Sequence, residues 1–275
     1  MDRCTTMLGP DASRYLLAGK GVPVARPFNL RWLLPTVCKN DMRRWRAVWV
    51  ASWVVAAVGM LWWGWDLGIE RAAAAAVLLL ALPGVLGPQV VRPVGVDLPA
   101  MAVAIIAVAC FDHGLWPVAV LLILVAASIK ETSPVFAAVW AWHPIMLVGL
   151  IVPAVVWFVR KPQVDLVTAQ PLLRRVYDHP FITAMESHRG RWRDAWLMVF
   201  PWGATLAALY RPSWQTLLIL VLAYGQLLVA TDTVRLLHTA AGPVMALAAA
   251  QVLPVQWIPL ILIAHFWWWR KPEVI

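Results

Sequence analysis

Long apolar runs alternate with short polar breaks along this chain, and the pattern predicts an all-α membrane protein. About ten such runs follow a polar start, and they lack the period of a half-buried helix or strand. Runs that are apolar all round are typical of helices lying in lipid or at the centre of a bundle. The sequence therefore predicts a polytopic transmembrane bundle of about 8–10 helices, some of them short or half-spanning.

Two regions are predicted, a basic interfacial arm over residues 1–44 and a transmembrane bundle over residues 45–275. In the arm, residues 10–19 predict a short amphipathic helix, and residues 26–35 alternate basic and apolar positions in a way that suits the membrane plane. The first clear span, residues 46–65, is about 30 Å long as a helix, which matches a hydrocarbon core.

The later runs are less regular. A second span over 72–91 contains Pro83, Gly84, Gly87 and Pro88, which lipid tolerates only where neighbours satisfy the freed backbone groups. Segment 133–142 is predicted to cross only half of the bilayer, and residues 160–194 to form a polar loop. The remaining helices are predicted at 98–111, 115–129, 144–159, 195–209, 213–230, 233–252 and 256–269.

Composition supports a multi-pass protein of the cell membrane. The chain is 62% hydrophobic and only 13% charged, well outside the range of soluble domains. Many of its 19 Trp flank the apolar runs, where the half-wet headgroup region favours them. Cys4, Cys38 and Cys110 have no metal-ligand spacing and indicate neither a zinc site nor a disulfide framework.

Charge is distributed very unevenly. Among 23 Lys and Arg, only Arg71 and Arg211 would lie on one face if the runs alternate in direction, which leaves 21 on the other face. The positive-inside rule places that face in the cytoplasm. The net charge of +9 then indicates contact with anionic membrane lipids rather than with nucleic acid.

Lys130, Glu131 and Thr132 interrupt two apolar runs. A charge at bilayer depth costs about 2.5–3.5 kcal/mol, so such residues face protein or a water-filled cavity. Neighbours on a helix point about 100° apart, so Lys130 and Glu131 are expected to have separate partners. The alternative is a loop at headgroup level with a lysine that reaches the interface.

Three further acidic positions each allow two interpretations. Asp11, Asp97 and Asp232 all precede apolar helices, where a carboxylate is first an N-cap. Asp232 and Arg235 also have i, i+3 spacing, and the planar guanidinium of Arg235 suits a phosphate. His238 lies one turn further on, either as a hydrogen-bonded core residue or as a ligand.

Several chemistries have no motif in this chain. It contains no His-Glu-x-x-His, no Gly-x-Ser-x-Gly and no Gly-rich phosphate loop followed by Lys-Ser/Thr. Its acidic residues never cluster as metal ligands do, so the cofactor is left unknown: a divalent metal is possible and no motif supports it.

The order of short motifs resembles the GT-C-type integral membrane glycosyltransferases, which take sugars from polyprenyl-phosphate carriers. The motifs are Asp11 with Tyr15, an Arg-Pro-Phe..Arg.Leu.Pro stretch over 26–35, Asp97-Leu-Pro-Ala, Ala-Ser.Lys-Glu-Thr over 127–132, and Asp232..Arg235. The resemblance implies that Asp11 is the catalytic carboxylate and that Lys130 and Arg235 contact the lipid phosphate. The full expected substrate-binding set is Tyr15, Arg31, Asp97, Lys130, Glu131, Asp232, Arg235 and His238.

This chain departs from the family pattern in two ways. The family has a transmembrane helix before its first polar loop, and it works on the extracytoplasmic face, opposite to the face that the positive-inside rule indicates. A glycosyltransferase predicts that Asp11, Lys130 and Arg235 converge. The alternative, a non-enzymatic scaffold or transporter-like bundle, predicts separate positions and simple helix caps.

Overall fold

The computed structural model describes residues 9–24, 27–85, 94–160, 179, 181–186, 199–228 and 234–260. These residues form helices joined by loops and contain no strand, which confirms the all-α prediction. The helices are α1 (Gly9–Gly19), α2 (Leu33–Cys38), α3 (Met42–Trp63), α4 (Ile69–Leu80), α5 (Asp97–Asp112), α6 (Trp116–Ile129), α7 (Ser133–Trp140), α8 (Ile151–Val159), α9 (Trp214–Gly225) and α10 (Val234–Val252).

Five further described segments are 3-10 helices: Trp65–Leu67, Pro144–Leu150, Phe200–Tyr210 with Gly203 in a non-helical conformation, Gln226–Leu228 and Val255–Trp257. The two longest of them, Pro144–Leu150 and Phe200–Tyr210, lie where the sequence predicted regular α-helix, over 144–159 and 195–209. The predicted helix 144–159 is 3-10 over Pro144–Leu150 and becomes α-helical only at Ile151. In the predicted span 72–91, α4 ends at Leu80, and residues 86–91 lie outside the described residues. Most of the predicted loop 160–194 lies outside the described residues.

Helix α3 is the one described helix that is both long enough and apolar enough to cross a membrane. Its 22 residues extend about 33 Å. It begins where Asp41 caps it, because a carboxylate oxygen of Asp41 accepts the backbone N–H of Arg43 at 2.8 Å. Shorter apolar segments follow at Trp116–Ile129, Pro144–Val159 and Trp214–Leu228.

Small residues bring the helices of the main core close together. Alanines fill much of the buried surface of α4, α5 and α10. Gly84 lies directly against α10, where an added Cβ would be 2.4 Å from the Val234 carbonyl oxygen. Its backbone N–H donates to Nδ1 of His238 at 2.9 Å. The neighbouring helix thus satisfies one of the backbone groups in the Pro- and Gly-broken segment, as the sequence leads one to expect.

A second, smaller core joins the N-terminal arm to the bundle. Tyr15 of α1 packs against Phe28 and Trp45, with ring centroids 5.4 and 6.2 Å apart. Ala100 of α5 and Ile129 of α6 belong to the same cluster. The arm therefore packs on the ends of three bundle helices.

Apart from Glu186, the described charges separate to the two ends of the bundle. The end that carries the arm has ten Lys and Arg against four Asp and Glu, a net charge of +6, and the opposite end has a net charge of −1. The first group is Asp11, Arg14, Lys20, Arg31, Lys39, Asp41, Arg43, Arg44, Arg46, Asp97, Lys130, Glu131, Arg160 and Arg235, and the second is Asp66, Glu70, Arg71, Asp112 and Arg211. We call these the basic end and the opposite end.

We predict that Gly19→Ala weakens the packing of the arm. An added Cβ at Gly19 would lie 2.5 Å from the backbone carbonyl of Lys39, and backbone atoms move aside less easily than side chains. Overpacking of this kind costs about 1–3 kcal/mol, measurable as a lower midpoint of thermal unfolding in detergent.

Gly225→Ala is the matched control, since a Cβ at the end of α9 meets nothing within 4 Å. An unchanged midpoint for Gly19→Ala would contradict the close approach of α1 to the α2–α3 turn.

Candidate functional site

A cluster of paired charges lies at the basic end, between the arm and the ends of the bundle helices. Its members come from α1, from the turn before α2, from the start of α5, from the break between α6 and α7, and from the start of α10. We call it the ion-pair cluster. It consists of Asp11, Arg14, Arg31, Asp97, Lys130, Glu131 and Arg235, with Tyr15 as a neutral member.

Asp97 lies at the centre of this cluster. One carboxylate oxygen accepts from Nζ of Lys130, and the other is 3.2 Å from Nε of Arg235. Val96 occupies the N-cap position of α5, and Asp97 is the first helical residue. The interpretation of Asp97 as a simple N-cap is therefore wrong: its side chain connects α5 to α6 and α10, and its negative charge still suits the positive end of the helix.

Lys130 and Glu131 diverge to different partners because the chain leaves helical geometry between them. Lys130 ends α6 with φ −147° and ψ 121°, so Glu131 faces the arm. Both carboxylate oxygens of Glu131 accept from Arg31, at 2.8 Å from Nε and 2.7 Å from Nη2. Such a two-point contact is the strongest arrangement that these groups form.

Arg235 extends the cluster to the surface. One of its terminal nitrogens is 3.3 Å from Asp11, whose other oxygen is 3.7 Å from Arg14. The exposed fraction of the side chain rises along this series, from 6% for Asp97 and 7% for Lys130 to 21% for Arg235 and 41% for Asp11. Asp11 and Arg235 are thus the cluster members most open to a ligand.

Aromatic groups support the arm side of the cluster. Arg31 donates from Nη1 to the Tyr15 hydroxyl at 2.9 Å. The Phe28 ring has the guanidinium carbons of Arg14 and Arg31 at 4.5 and 5.5 Å from its centroid, within cation–π distance. Sequence reasoning overlooked Arg14, although its i, i+3 spacing from Asp11 on a predicted helix is a usable signal.

Burial and the Arg31 guanidinium together set the charge states of two cluster members. Burial alone would raise the pKa of Glu131, but the Arg31 guanidinium outweighs it and lowers that pKa below its ordinary value. Burial raises the pKa of the Tyr15 hydroxyl well above its ordinary value. At neutral pH Glu131 is therefore an anion and Tyr15 a neutral phenol.

Two predicted ligands lie elsewhere. His238 is fully buried among the bundle helices, where Nδ1 accepts from Gly84 and the ring packs edge-on against Trp202 with centroids 4.8 Å apart. These contacts agree with the interpretation of His238 as a hydrogen-bonded core residue. Asp232 lies outside the described residues.

A cavity of about 760 Å³ opens at the opposite end of the bundle, lined among others by Trp63, Asp112, Trp140, Arg211 and Gln251. No member of the ion-pair cluster lines it. Within the described ranges, no group of three or more His, Cys, Asp or Glu is placed to bind a metal ion.

We predict that breaking the Asp97–Lys130 pair destabilises the protein far more than a surface change does. Lys130→Met leaves a buried carboxylate with one cation fewer, and removing one partner of a buried pair costs about 3–5 kcal/mol. The readout is the free energy of unfolding in detergent.

Lys20→Met, at an exposed lysine of the same end, is the control and should change little. Combining Lys130→Met with Asp97→Leu should recover part of the loss, because both charges are then removed. If the double variant is no more stable than Lys130→Met, the two residues are not coupled as described.

No protein-family model, curated protein or solved structure matches this chain.

Proposed function

We propose that this protein is a multi-pass membrane glycosyltransferase that transfers a sugar from a polyprenyl-phosphate carrier to an acceptor at the membrane surface. The observation that supports it best is the position of Asp11, an exposed carboxylate that lies between two arginines at the edge of a buried charge cluster. The GT-C-like order of motifs in the sequence supports the same reading.

Exposed apolar side chains support the multi-pass part of the proposal. Besides α3, the outward surfaces of α6, α8 and α9 carry large hydrophobic residues open to the surroundings, for example Leu121, Ile151 and Val221. Exposed apolar surfaces this extensive are rare on soluble monomers. Lipid that surrounds α3 would equally surround these faces.

The charge balance of the cluster favours a negatively charged ligand. Three carboxylates, on Asp11, Asp97 and Glu131, face the four cations of Arg14, Arg31, Lys130 and Arg235. Within the described part of the chain, the cluster therefore contains one more cation than carboxylates. The partly exposed Arg235 guanidinium presents planar donors that suit a phosphate oxygen.

The proposed reaction uses Asp11 as general base. Its carboxylate takes the proton of the acceptor hydroxyl while that oxygen forms a bond to the anomeric carbon of the sugar. The bond from the anomeric carbon to the carrier phosphate breaks, and the phosphate leaves with the electron pair. Arg235 stabilises the negative charge on the leaving phosphate.

Lys130 and Asp97 contribute to this reaction through position. Both are nearly buried, so they are less open to a substrate than Arg235. The Asp97 carboxylate, 3.2 Å from Nε of Arg235, orients the guanidinium toward Asp11. Tyr15, Arg31 and Glu131 fix the arm that carries Asp11.

One observation favours the second candidate, a non-enzymatic membrane scaffold. Each carboxylate of the cluster already has a cationic partner. A purely structural role, linking the arm to the bundle, therefore also explains the cluster. The two candidates differ in what happens when Asp11 loses its charge but the fold is kept.

We predict that Asp11→Asn lowers sugar transfer about 10²- to 10⁴-fold, the usual contribution of a positioned general base. The assay follows label transfer from a panel of polyprenyl-phosphate sugars by the purified protein in liposomes. Asp41→Asn is the control, because asparagine also caps a helix well. Two results together would favour the scaffold. The native protein would neither transfer sugar nor bind polyprenyl phosphate, and Asp11→Asn would be as stable as the native protein.

We predict that single cysteines at the two ends react from opposite sides of the membrane. The variants are made in a cysteine-free background and treated with an impermeant maleimide from one side of the membrane. Asn40→Cys and Arg160→Cys, at the basic end, should react from the same side. Asp66→Cys and Leu115→Cys should react only from the other side. A protein that spans only with α3 would instead place Arg160→Cys together with Asp66→Cys. The same labelling determines whether the basic end faces the cytoplasm, as the positive-inside rule indicates.

A further inference from the structure

The first turn of α3 carries three arginines arranged around one buried aromatic residue. Trp45 is buried, with its indole N–H donating to the Lys39 carbonyl oxygen at 3.1 Å and its ring against Tyr15. Successive residues of a helix are rotated by about 100° around its axis. Arg43, Arg44 and Arg46 therefore point away from the side on which Trp45 is buried. All three are exposed.

Two of these arginines form a matched pair on the outer face. Arg43 and Arg46 have i, i+3 spacing and are neighbours on the helix surface. Arg44 differs, since its Nε is 3.5 Å from Asp41. Among the described residues, neither Arg43 nor Arg46 has a carboxylate within ion-pair distance. We call Arg43 and Arg46 the outer arginine pair.

The same face of α3 continues as an apolar surface. Val50, Trp53 and Val54 lie within about 60° of the outer arginine pair around the helix axis. All three are exposed. A ligand that fits this face has a negatively charged head at the helix start and an apolar tail along the next two turns.

We propose that the outer face of α3 binds an anionic phospholipid, with the headgroup phosphate at Arg43 and Arg46 and an acyl chain along Val50, Trp53 and Val54. The inference rests on the membrane placement in the proposed function, and it adds a binding site outside the ion-pair cluster. Two adjacent guanidiniums offer a phosphate several donors at once. Basic residues beside a membrane helix attract anionic lipid, by roughly fivefold for each residue.

The test uses photoactivatable phosphatidylglycerol and phosphatidylcholine, each with a diazirine in the acyl chain, in bilayers that contain the purified protein. Mass spectrometry then locates the adducts. On residues 50–54 phosphatidylglycerol adducts should exceed phosphatidylcholine adducts on the order of tenfold at low salt. Leu121 and Val125, exposed on α6, are the internal control and should show a ratio near one.

Arg43→Gln with Arg46→Gln should bring the ratio on α3 close to one, whereas Arg43→Lys with Arg46→Lys should keep most of it. Arg71→Gln with Arg211→Gln, at the opposite end, should leave it unchanged. Exposed substitutions of this kind rarely disturb folding, and single Arg46→Gln offers a milder variant with a partial loss. A phosphatidylglycerol excess that survives Arg43→Gln with Arg46→Gln would overturn the proposal.

Two more outcomes would overturn it. Equal labelling of α3 by the two lipids in the native protein would mean that the arginine pair does not select the headgroup. Labelling of α6 with no adduct on α3 would mean that another protein surface covers this face. Asp11→Asn should keep the lipid ratio while losing sugar transfer, so failure of the lipid site and failure of the proposed enzyme are separable.

Discussion

The buried carboxylate of Asp97 is the contact on which the basic end of the molecule depends. A charge that is removed from water is tolerated only when it is paired, and Asp97 is paired with two cations from two different elements. Lys130 therefore has to end α6 beside the start of α5, and Arg235 has to begin α10 there. One acidic residue thus aligns the ends of three helices.

The arm extends this alignment to the surface. Arg235 contacts both Asp97 and Asp11, so the position of Asp11 depends on the same buried carboxylate. A second connection, from Arg31 to Glu131, fixes the arm to the break after α6. Because these two links use different residues, the exposed edge of the cluster is set by a network rather than by a single contact. Such preorganisation is what an acid–base site requires, since its groups must be in place before the substrate arrives.

Sequence reasoning reached the fold class and most of the grouping. Apolar runs predict helices from composition alone, and a charged break such as Lys130-Glu131 predicts burial against protein because lipid is so unfavourable for charge. It did not reach the pairing. Which cation meets Asp97 depends on how three helices pack, and nothing near Asp97 in the chain indicates Lys130 or Arg235. His238 was ambiguous for the same reason, since its partner Gly84 lies 154 positions away.

The unequal charge of the two ends allows a further step about orientation. A net charge of +6 at one end and −1 at the other favours the cytoplasmic side for the basic end, whereas GT-C-type enzymes work on the outer side. The chemistry of the ion-pair cluster does not itself choose, because a lipid-linked phosphate meets Arg235 in the same way from either leaflet. What differs between the two orientations is the membrane surface that attracts the basic residues. If Arg43 and Arg46 are bound to anionic lipid, two of the six net positive charges are neutralised at the interface, and the remaining bias still favours the cytoplasmic side.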